Sequence, residues 1–159
     1  RITHSSALGS TAAGTTVASG ATLALSGGLS LGAETLSLTG TGVSSAGAVR
    51  SISGINSMSG AVTLAGATWI GVEANSLEMS GTIGGTEDLT AVGAGKLILS
   101  GGGTFARMIV GNSAVAAGGN LEWKNGTGTT AGNYFGIGDN VSASFTMSGG
   151  SLTVSPDAG

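Results

Sequence analysis

A five-residue unit, hydrophobic-x-hydrophobic followed by Ser, Thr or Ala and then Gly, recurs along this whole chain. It reads Leu23-Ala24-Leu25-Ser26-Gly27, Leu36-Ser37-Leu38-Thr39-Gly40 and Val62-Thr63-Leu64-Ala65-Gly66. It returns as Leu77-Glu78-Met79-Ser80-Gly81, Leu97-Ile98-Leu99-Ser100-Gly101 and Phe145-Thr146-Met147-Ser148-Gly149. Each copy has the two-residue alternation of a short strand and closes on a glycine that can take backbone angles other residues avoid. A strand this short cannot bury its apolar side alone. Repetition of the unit therefore predicts a β-solenoid, in which each turn of chain stacks on the last.

Composition supports folded, repetitive β-structure. Hydrophobic residues make up 40% of the chain and charged residues only 8%, against roughly 25% charged in an ordinary soluble domain. Disorder needs the opposite balance. The 32 glycines lack the every-third-residue period of collagen. Helix formers such as Glu, Lys and Arg are too sparse to stripe a helix.

Strands are expected at residues 15–17, 21–25, 29–31, 35–38, 48–52, 62–64, 68–70, 76–79, 89–92, 96–99, 105–110, 120–123, 134–137, 144–147 and 151–154, with turn-forming Gly, Ser, Thr, Asn and Asp between them. Motif glycines lie 13 residues apart from Gly27 to Gly40, 15 from Gly66 to Gly81 and 20 from Gly81 to Gly101. A hexapeptide helix or an ice-binding prism would keep a strict short period. Variable spacing instead predicts a right-handed parallel β-helix with coils of about 20 residues, hence about seven or eight coils. At about 4.8 Å per rung the rod would be roughly 35–40 Å long. Residues 1–159 read as one continuous solenoid, with a change of rung type near residue 105, after which aromatics become frequent. Neither end reads as a polar cap, so a segment of a longer protein is expected.

Several partner classes are poorly matched. The net charge is −3, and Arg1, Arg50, Lys96, Arg107 and Lys124 form no cluster, so a phosphate-binding surface for nucleic acid is not expected. No apolar run approaches the roughly 20 residues of a membrane helix, and membrane insertion of this segment is not expected. Absence of cysteine removes thiolate chemistry and says nothing about redox compartment.

Residues 14–27 (GTTVASGATLALSG) and 93–101 (GAGKLILSG) resemble the autotransporter-associated β-strand repeat, and residues 134–140 and 144–154 resemble a related rung of large bacterial surface proteins. The resemblance implies a passenger-like β-helix from an extracellular or bacterial cell-surface protein. It transfers no catalytic residue to any position here.

The search for chemistry returns little. His4 is the sole histidine, and a hydrolytic triad would need one with a carboxylate beside it. Glu78 and Glu122 each lie mid-strand between apolar neighbours and should point outward. If their rungs stack in register, they would share a face as a carboxylate pair. Glu87-Asp88 and Asp139-Asn140 offer turn oxygens without the spacing of a calcium repeat. Residues 93–97 lack the first glycine, the hydroxyl and the helix of a phosphate loop. Trp123, Tyr134 and Phe135 would form a glycan-stacking platform if exposed, or fill the core if not. The resulting expectation is a structural protein, a rigid spacer or adhesin segment with no cofactor, metal or catalytic residue. Its partners would be other copies of itself or surface glycans. Two alternatives remain, a self-assembling extracellular filament subunit and a carbohydrate-binding or polysaccharide-cleaving β-helix.

Overall fold

The structure is a computed structural model that describes residues 1–113, 118–138 and 141–155. In chain order the strands are β1 (Thr15–Val17), β2 (Leu23–Ser26), β3 (Leu36–Gly40), β4 (Val49–Ser53), β5 (Ile55–Met58), β6 (Val62–Val72), β7 (Ser76–Met79) and β8 (Ile83–Gly84). They continue as β9 (Leu89–Val92), β10 (Lys96–Leu99), β11 (Gly103–Val110), β12 (Gly119–Trp123), β13 (Thr127–Ile137), β14 (Ala143–Met147) and β15 (Ser151–Val154). A short 3-10 turn, Val43–Ser45, lies between β3 and β4, and no α-helix occurs among the described residues.

The strand pairs are parallel, and they form three rows that the chain visits in rotation. The first row runs β1-β3-β6-β8-β11-β13-β15. The second holds β2, β4, the end of β6, β9 and the ends of β11 and β13. The third runs β5-β7-β10-β12-β14, with Ser30 bridging to Ser57 beneath it. β6, β11 and β13 each serve two rows. Where they pass from the first to the second, the register slips, between Leu38 and Gly40 and again between Phe105 and Arg107. The molecule is a β-solenoid.

The coil count differs from the sequence expectation. Register partners on the first row are Thr15, Leu36, Val62, Ile83, Gly103, Gly128 and Leu152. Those 137 residues make six turns, about 23 each, where about 20 had been expected. Six rung intervals of about 4.8 Å give a stack roughly 29 Å long. The motif misled because its copies sit on different rows. Leu23–Ser26 lies on the second, Leu36–Gly40 on the first and Ser76–Met79 on the third, so glycine-to-glycine spacing measures corners and not coils.

Apolar ladders fill the inside. On the third row Leu77, Leu97 and Leu121 stack in register, as do Met58, Met79, Leu99 and Trp123, all at most 2% exposed. Each methylene so removed from water contributes about 0.8 kcal/mol. One rung differs. Ser51 and Asn56 are both buried in columns otherwise apolar, and they satisfy each other: the Asn56 amide donates to Ser51 Oγ at 2.8 Å, while Asn56 Oδ1 accepts the Leu29 N–H at 2.7 Å.

Higher in the stack the core is filled by rings. Phe105 and Trp123 are fully buried and meet edge to face at 6.4 Å. Gly103 and Gly128 occupy the column held lower down by Leu36, Val62 and Ile83. A Cβ on Gly128 would stand 2.6 Å from Trp123 Cζ2, so the glycine leaves the space that the indole takes.

The motif glycines serve two purposes. Gly27 and Gly40 are left-handed, at φ 115 and 95, as expected. Gly81 and Gly101 are not left-handed. They stand above Gly60 at one corner, where a Cβ on each would overlap the backbone carbonyl of the coil below. Close approach of backbones, not turn conformation, requires glycine there.

Candidate functional site

Side chains pointing outward give the three rows distinct surfaces. The first row carries a ladder of Thr16, Ser37, Thr63, Gly84, Thr104, Thr129 and Thr153, without a charged member. β-branched hydroxyls suit a solvated sheet face.

Two cross-coil ion pairs lie on the third. In its middle outward column Ser57, Glu78, Ile98, Glu122 and Thr146 follow in register, so Glu78 and Glu122 do share a face, two rungs apart. Each carboxylate is held by an ammonium and a hydroxyl from other coils. Lys124 Nζ donates to Glu78 Oε1 at 3.1 Å and Ser100 Oγ donates to the same oxygen at 2.9 Å. Lys96 Nζ reaches Glu122 Oε2 at 3.1 Å and Ser148 Oγ reaches Glu122 Oε1 at 2.8 Å. Bonds from Lys124 and then Ser100 hold the Glu78 carboxyl below the usual glutamate range. Ser148 and then Lys96 do the same for Glu122. A glycosidase acid needs its carboxyl raised towards neutral pH; both shifts here run the other way.

The second row carries the outward aromatics. Trp69, Thr90, Ile109 and Gly136 stack in register, and Tyr134, 44% exposed, bends over Gly136. Beside them Arg107 binds Asp88 through two nitrogens, Nε at 3.0 Å and Nη2, and the ion pair raises the guanidinium pKa. Arg50 Nε donates to Glu73 Oε1 at 2.6 Å near the corner with the third row.

Of the two alternatives the sequence left open for Trp123, Tyr134 and Phe135, an exposed platform or core filling, the structure divides the three rings between them. Trp123 is 0% exposed, part of the core. Phe135 is half-buried in register with Met108 and packs edge-on against Phe145 at 4.7 Å. Of the three only Tyr134 is exposed, and half-buried Trp69 lies on the same outward surface. His4 is exposed, with Nδ1 2.9 Å from Ser6 Oγ. Residues 93–95 form the corner between β9 and β10. Asp88 is taken by Arg107, and Asp139-Asn140 lie outside the described residues. Among the described residues no three His, Cys, Asp or Glu side chains gather as a metal site would require.

Sequence reasoning missed the cross-coil ion pairs. Their partners stand 23, 19, 26 and 46 residues apart, so no fixed offset announces them. Each links one coil to another, the Lys124–Glu78 pair spanning two rungs. Exposed pairs of this kind are worth about 0.2–1 kcal/mol each. Comparison with protein families, with curated proteins and with solved structures found no match for this chain.

Proposed function

We propose that this chain is a rigid β-solenoid segment of a bacterial cell-surface or secreted protein, where it serves as a spacer or adhesin stalk. One observation carries the reading: the strand-face charges are spent on bracing coil against coil. Arg50–Glu73, Arg107–Asp88, Lys96–Glu122 and Lys124–Glu78 all run along the stack. The autotransporter-like repeats in residues 14–27 and 93–101 supply the surface context. In this reading the chain catalyses nothing and needs no cofactor.

Spin labels on Ala12→Cys and Ser151→Cys, introduced into a chain with no native cysteine, test the stiffness. A single narrow interlabel distance that holds up to the unfolding transition is expected. A broad distribution under native conditions would overturn the spacer role. Antibodies against the chain should label intact cells that carry it, and labelling only after permeabilisation would overturn the surface placement.

Surface glycans are a partner class, resting on Tyr134 and Trp69. A glycan array silent for wild type would remove it.

A further inference from the structure

Gly126 stands at the corner between β12 and β13, where it lies between Gly102 of the coil below and Gly150 of the coil above. A Cβ on it would stand 2.6 Å from the Gly102 nitrogen, and its φ of 85 is left-handed. No larger residue meets both demands. The residue before it differs between coils. Gly101 precedes Gly102 and Gly149 precedes Gly150, but Asn125 precedes Gly126, and the dipeptide Asn-Gly occurs nowhere else in the chain.

The surroundings leave this pair free to react. Asn125 is exposed, and its carboxamide has no hydrogen-bond partner among the described residues. The Gly126 N–H donates to none of them either, although its carbonyl accepts the Ser151 N–H at 3.0 Å and the Trp123 indole N–H at 3.3 Å. Other asparagines are tied down. Asn56 is buried and bonded to Ser51 and Leu29, Asn75 accepts the Gly54 N–H at 3.2 Å, and Asn120 donates to the Ala94 carbonyl at 2.9 Å. Each of these precedes a residue with a side chain, Ser57, Ser76 or Leu121, which hinders approach of the following amide nitrogen. Asparagine is a thermolabile residue, and its amide is lost fastest where that nitrogen can reach Cγ.

We propose that Asn125-Gly126 is a self-modification site, at which the side-chain amide is exchanged for water through a cyclic imide. The Gly126 nitrogen attacks Asn125 Cγ and a succinimide ring closes. The side-chain nitrogen leaves as ammonia, carrying away the proton that Gly126 loses. Water then opens the ring. Cleavage at Cγ leaves aspartate; cleavage at the main-chain carbonyl leaves isoaspartate, whose backbone runs through the side-chain methylene. That extra backbone carbon enters a corner with no room for a Cβ, so isoaspartate pulls the Gly126 carbonyl away from Ser151 and Trp123.

The test ages the full folded chain in warm, mildly alkaline buffer and follows each asparagine by peptide mapping and mass spectrometry. Asn125 should convert at least tenfold faster than Asn56, Asn75 or Asn120, and within about tenfold of its own rate in guanidinium chloride. Labelling with an isoaspartyl methyltransferase should find isoaspartate in the aged chain. Asn125→Gln, whose larger ring closes far more slowly, should abolish that labelling while melting like the fresh wild type. The proposal is overturned if folded Asn125 keeps its amide while the denatured chain loses it. Equal conversion at any of the other three asparagines, or undiminished labelling of Asn125→Gln, overturns it as well. Should Asn125→Gln fail to fold, the peptide map of the wild type decides alone.

Discussion

Gly81→Ala and Gly84→Ala are the same chemical change three residues apart, and the structure predicts opposite outcomes. A Cβ at Gly81 would overlap the Gly60 carbonyl and stand 2.8 Å from the Ser59 carbonyl oxygen. Ordinary C···O contact begins near 3.3 Å. The coils must therefore part by about 0.5 Å at the farther of the two oxygens, and by more at the nearer. The flanking ladder bonds, Ser80 N–H to the Met58 carbonyl and Val62 N–H to the Thr82 carbonyl, are both 2.9 Å. Stretched by that amount they leave the roughly 2.7–3.2 Å range of a good bond. Two bonds at about 1 kcal/mol each, plus residual overlap, give a loss of about 2–4 kcal/mol. The melting temperature should fall by roughly 4–16 °C. At Gly84 a Cβ meets nothing within 4 Å and the backbone is not left-handed, so alanine should be neutral or raise stability by up to about 1 kcal/mol. Circular dichroism melts of both variants decide the matter. Equal melting temperatures would refute the backbone-contact explanation of the motif glycine.

Three further outcomes follow from the core and the charged face. Leu38→Asp and Leu99→Asp, at 0% and 1% exposure, bury an unpaired charge and should abolish cooperative melting; wild-type melts would show the inward assignment to be wrong. Glu78 and Glu122 are held below the ordinary glutamate value of about 4.3, so their clasps contribute fully above that pH and fade as pH falls through the lowered values. The melting-temperature difference between wild type and Glu78→Gln/Glu122→Gln should be small at pH 7, as exposed pairs dictate, and should close on acidification below about 4.3; closure above pH 6 would contradict the assignment. Acrylamide should quench half-buried Trp69 and leave fully buried Trp123 protected, so Trp69→Phe should remove the quenchable emission, and strong quenching of what remains would disprove the buried indole.

Fold class was legible because the two-residue alternation is local. Leu77 and Met79, or Leu97 and Leu99, identify their own inward sides without knowledge of any neighbour. Coil length was not legible, since identical motifs mark different rows and the corners between them vary. β5 was missed because Asn56 stands where leucine was expected, and only the adjacent coil shows that Ser51 and the Leu29 amide satisfy it. β8 is two residues long, too short for any pattern. At the candidate sites the outward direction of Glu78 and Glu122 could be read from their apolar neighbours. Their lysine partners could not, since Lys124 reaches Glu78 across two coils. Trp123 was undecidable from sequence, because the space it fills is created by Gly128, on the next strand.

The polar rung at Ser51 and Asn56 has a consequence for assembly of the stack. Layers of leucine are interchangeable, and a growing stack of them could anneal one layer out of step at little penalty. Asn56 cannot slip in this way, because a displaced carboxamide would face hydrocarbon above or below, stranding three polar groups in a dry interior. A single amide thus works as an index mark, telling every later layer where counting begins.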